Sequence, residues 1–181
     1  VFRAVGLRQD NAFSGFTGAT VDVEVILGHT SFDAGTLTTT FDSNFSGNRT
    51  VVIPRQNVVL PNMGPAPTDP KDVLVHLPFA RPFTYNGSSN MLIEVVQRGT
   101  SRGNTTFSYP LDAHSGGNTT RLYGFPETAT TGTLGANYGL VMCFDIDSEA
   151  FPGTYDYFGA GCSGSGPGTV NTVLPSAFAG A

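Results

Sequence analysis

Apolar and polar residues alternate with a period of two in several segments of the chain, and this alternation restricts the fold more than any other feature. In residues 20–27 every second residue is valine or leucine, whereas Asp22 and Glu24 occupy the opposite face. The same alternation occurs in residues 72–77, 91–97 and 137–146. Because successive side chains of a β-strand point to opposite faces, these four segments are predicted to be strands.

The remaining segments complete an all-β pattern. Residues 91–96 are apolar on both faces except at Glu94, which predicts a central strand. Shorter strands are predicted at residues 50–53, 57–60, 105–109 and 119–125. The long connection after residue 28 is predicted to contain a short helical turn within residues 31–41. About eight to ten short strands with long crossing loops indicate an antiparallel β-sandwich of jelly-roll type.

Composition agrees with a β fold and disfavours two classes of partner. Charged residues make up only 13% of the chain, and Lys71 is its single lysine. Thr, Val, Phe and Tyr, which suit pleated surfaces, take the place of the residues that exposed helix faces need. A net charge of −5 without a Lys/Arg cluster argues against nucleic acid as a partner. No apolar run is long enough for a bilayer, so no membrane span is predicted.

The last part of the chain has a different composition. From residue 153 onward Gly, Ser, Ala and Pro dominate, which predicts a β-sandwich domain over residues 1–152 and a tail or linker over residues 153–181. Within this tail, residues 169–174 favour a strand but have no obvious hairpin partner nearby. An extended segment can pair with the open sheet edge of another molecule, so we predict assembly with copies of the same chain. The face expected to make that contact consists of Val170, Thr172 and Leu174.

Patterns that carry catalysis are missing from the sequence. No phosphate-binding glycine loop precedes a helical segment. The glycine run around Cys162 does not match the Gly-x-Ser-x-Gly nucleophile turn. The three histidines, His29, His76 and His114, lack the local spacing of a zinc pair. The sequence therefore favours a protein that is not an enzyme.

The two cysteines, Cys143 and Cys162, form an even count without a Cys-x-x-Cys motif. In a secreted chain they are predicted to form a disulfide that joins the tail to the last core strand. Such a bond closes a loop of about 20 residues and contributes about 3 kcal/mol. The alternative is two unrelated thiols, with Cys143 a small core residue.

An acidic segment offers one candidate metal site. Asp145, Asp147 and Glu149 fall on one side of an extended stretch. Together with a loop carbonyl they provide the hard oxygen ligands that calcium prefers. The alternative is a solvated acidic strand end, since the EF-hand pattern is absent.

Five Asn-x-Ser/Thr triplets fall in turns or near strand ends, where a glycan has room. If the protein is exported in a host that glycosylates asparagine, a sugar is predicted on at least one of Asn44, Asn48, Asn86, Asn104 and Asn118.

Five stretches give the chain a resemblance to a known type of domain. They are residues 37–44 (LTTTFDSN), 50–53 (TVVI), 82–86 (PFTYN), 90–95 (NMLIEV) and 157–165 (YFGAGCSGS). They resemble an uncharacterised β-rich domain of predicted secreted proteins from environmental bacteria, planctomycetes especially. The resemblance covers roughly residues 1–165 and implies export and a cell-surface or matrix role. It carries no functional residues with it.

Two functions fit these observations best, and a hydrolase is a third, weaker alternative because the sequence offers no recognisable catalytic set. The first is an extracellular structural protein, the repeating subunit of a surface filament or matrix assembled by strand or tail exchange. The second is a carbohydrate-binding or adhesive module of a larger secreted protein. The low share of charged residues favours the first, because charged edge strands are a common way for monomers to prevent edge-to-edge pairing.

Overall fold

The computed structural model describes residues 1–10, 12–65, 73–103, 109–146, 158–159 and 168–174. Within these ranges the chain forms β-strands, all paired antiparallel, and one turn of 3-10 helix at Asp42–Asn44. The strands are β1 Phe2–Leu7, β2 Ala19–Thr30, β3 Arg49–Leu60, β4 Val75–Phe83, β5 Asn90–Thr100, β6 Ala113–Gly124, β7 Thr133–Ile146, β8 Phe158–Gly159 and β9 Gly168–Leu174. The prediction of an all-β antiparallel fold is confirmed.

The strands follow one another in space in the order β3-β2-β5-β9-β6-β7-β1-β4, and β8 pairs with β7. Many neighbours in this order are far apart in the sequence: β1 lies between β4 and β7, and β9 lies between β5 and β6. This order does not confirm the predicted jelly-roll type.

The main hydrophobic core joins two groups of strands, β2–β3–β5 and β1–β4–β7, in a sandwich-like arrangement. Leu27 and Ile93 contribute from the first group, and Phe2, Phe83 and Met142 from the second. Large aliphatic and aromatic side chains therefore fill the space between the groups, and burial of each such side chain contributes about 1.5–3 kcal/mol.

Two strand predictions are confirmed in detail. All four residues of the predicted inward face of β2 are buried: Val21, Val23, Val25 and Leu27. The predicted central strand, β5, has a partner on each side, β2 and β9. Its buried residues include Leu92 and Glu94, which belong to the face opposite to Ile93.

The β3 strand is longer than predicted. Residues 50–53 and 57–60 belong to one continuous strand that passes through Pro54. Its register with β2 shifts there, because Val23 pairs with Gln56 whereas Val25 pairs with Ile53. A proline cannot donate to a ladder, but β3 ends the strand order, so the missing donor falls at a bulge in an edge strand, where proline is tolerated.

The connection between β2 and β3 covers the outer face of the sheet. Leu37 packs on Leu92 of β5, and the Phe41 ring lies against the end of the β6–β7 hairpin. A Cβ atom on Gly132 would stand 2.5 Å from the carbonyl oxygen of Tyr123 and 2.9 Å from Cζ of Phe41, so this position requires glycine. The backbone N–H of Phe41 also donates to the carbonyl of Thr130.

The helical turn predicted within residues 31–41 is wrong, because the 3-10 turn comes later, at Asp42–Asn44. The cause is the side chain of Asn44, which is fully buried and binds the preceding segment in four hydrogen bonds. Its Oδ1 accepts from the N–H (2.8 Å) and Oγ1 (3.1 Å) of Thr38. Its Nδ2 donates to the carbonyls of Thr38 (3.0 Å) and Thr40 (3.1 Å).

Among the described residues, no helix is long and apolar enough to cross a membrane.

Candidate assembly site

The position between β5 and β6 is the feature of the fold most closely related to the predicted assembly. β9 occupies it and pairs with both neighbours, at seven register positions with β5 and at four with β6. Val170, for example, has Val95 and Tyr123 as its two register partners. We call this position the β9 slot, defined by β5 residues 91–97 and β6 residues 121–124.

The β5 side of the β9 slot includes residues of the main core. Thr172 pairs with Ile93 and Leu174 pairs with Met91, and both β5 residues belong to the main hydrophobic core. Asn171 pairs with Glu94, a carboxylate that is only 5% exposed. The slot is therefore part of the body of the sheet and not a peripheral groove.

Removal of β9 would divide the sheet. Apart from β9, the neighbour of β5 is β2 and the neighbour of β6 is β7. Without the strand, β5 and β6 would each present a row of unpaired N–H and C=O groups, which bind readily to another extended chain.

The predicted strand at residues 169–174 is confirmed as β9, with Val170, Thr172 and Leu174 at alternate register positions. The prediction that this segment has no hairpin partner nearby did not consider partners far away in the same chain, and β5 and β6 are such partners. Proximity in sequence does not identify the partner of this strand, because β5 lies about 70 residues upstream. Both β8 and β9 join the sheet although they come after the predicted boundary at residue 152.

The predicted disulfide and calcium ligands lie partly outside the described residues. Cys143 is half-buried on β7, whereas Cys162 is outside, so the disulfide stays a prediction. Asp145 is exposed, and its Oδ2 is 2.9 Å from Nε2 of His76. Asp147 and Glu149 are outside the described residues, and the described part of the chain holds no group of three or more potential metal-binding side chains.

The predicted glycan sites differ in accessibility. Asn44 has to be removed from the set, because its amide nitrogen is buried and already donates to two carbonyls. Asn48 and Asn86 are exposed and stay candidates. Asn104 lies outside the described residues, and the side chain of Asn118 is not among those described.

Sequence analysis missed a polar site at His29. The Nε2 atom of His29 accepts a hydrogen bond from the backbone N–H of Asn86, 3.1 Å away. Its ring stacks on Tyr85, with centroids 5.7 Å apart, and lies 5.1 Å from the ring of Phe83. The signal was present in the sequence, because His29 continues the inward face of β2 one step beyond Leu27.

Acid should destabilise the folded protein through His29. Burial lowers the pKa of His29 from its ordinary value of 6.5, so the unfolded chain binds a proton under conditions where the folded chain does not. The free energy of unfolding should therefore decrease as the pH falls below about 6.5, until the pKa of the folded state is passed. Urea unfolding at neutral pH and at about pH 5 measures this decrease.

Two variants separate His29 from the other histidines. His29→Gln should flatten the acid dependence, because glutamine does not titrate. His76→Gln should retain it, because His76 is exposed and its ring lies beside Asp145 of β7, whereas His29 contacts Phe83, Tyr85 and Asn86. An unchanged acid dependence in His29→Gln would contradict this assignment.

Comparison of the chain with protein-family models, with curated proteins and with solved structures found no match in any of the three. The resemblance to a domain of secreted bacterial proteins therefore stays a prediction.

Proposed function

We propose that this protein is a non-enzymatic, extracellular structural protein, the repeating subunit of a surface filament or matrix. In the assembly, residues 168–174 of one copy occupy the β9 slot of the next. The observation that carries the proposal is the double pairing of β9, because the last of the described strands in sequence order completes the middle of the sheet.

The two ends of the strand order are poor sites for assembly. β3 carries Pro54 and the exposed Arg55, and β4 carries Pro78, Pro82 and the exposed Arg81. Prolines remove ladder donors and charged side chains oppose edge-to-edge pairing, so both features protect an edge. Strand exchange at the β9 slot avoids this protection, since it reuses contacts that the single chain already makes.

The chain between β7 and β9 is long enough for exchange. Residues 147–167 separate Ile146 from Gly168, and at about 3.3–3.6 Å per residue they extend to about 70 Å. A small domain is about 30 Å across. While β8 stays paired with β7, only residues 160–167 separate it from β9, which is about 26–29 Å at full extension. Once β8 leaves β7, the whole segment can bring β9 to its own slot or to that of a neighbouring copy. An exchange in which each copy gives β9 to the next, without returning to the first, produces a fibre.

The predicted Cys143–Cys162 disulfide would limit this reach. With the bond formed, only residues 163–167 remain between the staple and β9, which is about 18 Å at full extension. Exchange should then be faster under reducing conditions than under oxidising ones.

Site-directed crosslinking tests the proposal. Val95 and Val170 are register partners, and directly paired residues of an antiparallel ladder have Cα atoms about 4.5–5.5 Å apart, within the range of a disulfide. We expect that mixing a Val95→Cys chain with a Val170→Cys chain, both carrying Cys143→Ser and Cys162→Ser, gives a covalent pair with one copy of each. Such a pair requires that β9 of one chain enters the slot of the other.

The matched control replaces Val95→Cys by Val59→Cys, an exposed position on β3 that does not pair with β9. This mixture should give no covalent pair above background. A single chain with both Val95→Cys and Val170→Cys reports the intramolecular arrangement. If that chain crosslinks internally while the mixed chains stay separate at every concentration, assembly by strand exchange is wrong.

A further inference from the structure

The turn that follows β4 holds the side chain of Asn86 in an unusual set of hydrogen bonds. Its Oδ1 accepts from the backbone N–H groups of Ser88 and Ser89, each at 3.0 Å. Its Nδ2 donates to Oγ of Ser89, also at 3.0 Å. Asn86 is nevertheless exposed, so water reaches the group.

The next residue supplies an unhindered nucleophile. Asn86 precedes Gly87, and this is the only Asn-Gly pair in the sequence. Gly87 has a φ of 73°, which the lack of a Cβ atom allows, and an ideal Cβ there would have no atom within 4 Å. Asn48, the other exposed asparagine of the predicted glycan sites, is followed by the bulky Arg49, whose side chain hinders the same attack.

We propose that Asn86–Gly87 is a site of spontaneous covalent modification, at which the fold promotes cyclisation of Asn86 and loss of its amide nitrogen. The backbone nitrogen of Gly87 attacks Cγ of Asn86 and gives up its proton. The bond from Cγ to Nδ2 breaks, and ammonia leaves with the two hydrogens of the amide and that proton. Water then opens the succinimide ring at either carbonyl and leaves an aspartate or an isoaspartate.

The hydrogen bonds of Asn86 match the demands of this reaction. Negative charge develops on Oδ1 when the nitrogen attacks, and two backbone N–H groups already point at that oxygen, as in an oxyanion hole. The Ser89 hydroxyl lies beside Nδ2, the leaving nitrogen, where it can pass on the proton that ammonia needs. Each group stabilises the reacting atoms more strongly as the charge develops.

The product would alter the His29 site. The backbone N–H of Asn86 is the donor to Nε2 of His29. The new carboxylate would therefore belong to the same residue that binds the His29 ring. An isoaspartate would also add a backbone atom between this N–H and Gly87. The modification is independent of the proposed assembly.

The test compares the full-length folded protein with a synthetic peptide of residues 81–91, both incubated at neutral to mildly alkaline pH. Peptide mapping by mass spectrometry follows the loss of ammonia and then the gain of about one mass unit at Asn86. We expect Asn86 to react about ten-fold faster in the folded protein than in the peptide, which corresponds to the removal of a modest part of the barrier. Asn48, in the same sample, should stay unmodified.

A Ser89→Ala variant is the matched control, because it retains the Asn-Gly pair and the two backbone donors. It should slow the reaction in the folded protein but leave the rate in the corresponding peptide unchanged. A folded protein that reacts at the same rate as the peptide, or more slowly, would overturn the proposal. A carbohydrate mass on Asn86 would also overturn it, because the glycan would occupy the leaving nitrogen.

Discussion

Replacement of Asn44 by alanine should lower the free energy of unfolding by about 3 kcal/mol, the largest effect expected from one polar side chain of this protein. The amide is fully buried and makes four hydrogen bonds to Thr38 and Thr40. Truncation removes the partners of the N–H and the carbonyl of half-buried Thr38, whereas the carbonyl of Thr40 keeps the hydroxyl of Thr38 as a donor. Each polar group left unsatisfied in the interior costs about 1–3 kcal/mol. Chemical denaturation of the purified variant measures the loss.

The matched control is Asn48→Ala, four residues away and also within an Asn-x-Ser/Thr triplet. Asn48 is exposed, so its replacement should change the free energy of unfolding by less than about 0.5 kcal/mol. Asn44→Asp gives a further check. Its carboxylate would face the carbonyls of Thr38 and Thr40 and should destabilise the fold, less so in acid, where it gains a proton. Similar stabilities of the Asn44→Ala and Asn48→Ala variants would show that Asn44 does not anchor the loop.

Replacement of Gly18 by alanine should cost about 2–3 kcal/mol through a clash with backbone atoms. A Cβ atom there would lie 2.1 Å from the carbonyl oxygen of Leu60 and 2.7 Å from the carbonyl carbon of Pro61. Neither atom can swing away as a flexible side chain would. The segment is also held in place, because the N–H of Gly18 donates to Oδ1 of Asn62 at 2.8 Å. The shift of the thermal unfolding midpoint measures this cost.

Gly99→Ala is the control for this prediction. Gly99 lies in β5, and an added Cβ would have no atom within 4 Å. Since glycine in a strand costs conformational entropy, this replacement should be neutral or slightly stabilising. If the Gly18→Ala and Gly99→Ala variants unfold at the same temperature, the close approach of Gly18 to the end of β3 does not affect the stability of the fold.

The sequence predicts those parts of the fold that depend on local alternation. The inward face of β2 and the central place of β5 follow from the spacing of apolar residues alone. The continuity of β3 through Pro54 does not, because a proline ends a strand unless that strand lies at an edge, and only the tertiary arrangement decides this.

The candidate sites depend on contacts between distant residues, so less of them could be predicted. The strand at residues 169–174 was visible from its composition, but its partners on β5 and β6 were not, because local patterns do not identify the partner of a strand over such distances. Asn44 looked like a surface asparagine in a glycan triplet. Its burial follows from the path of the β2–β3 connection. The carbonyls of Thr38 and Thr40 belong to no helix, and the Asn44 amide supplies hydrogen-bond donors to them.

The place of β9 in the sheet also sets the order in which the molecule can be completed. Synthesis proceeds from the N-terminus, so the ribosome delivers β5 and β6 before the strand that joins them. A chain that crosses an export channel N-terminus first would keep both edges unpaired until residues 168–174 emerge. A product of premature termination before residue 168 would contain most of the core but would keep both edges exposed. Closure of the sheet therefore waits until residues 168–174 have been synthesised, and shorter copies would be prone to capture or aggregation through the edges they leave open.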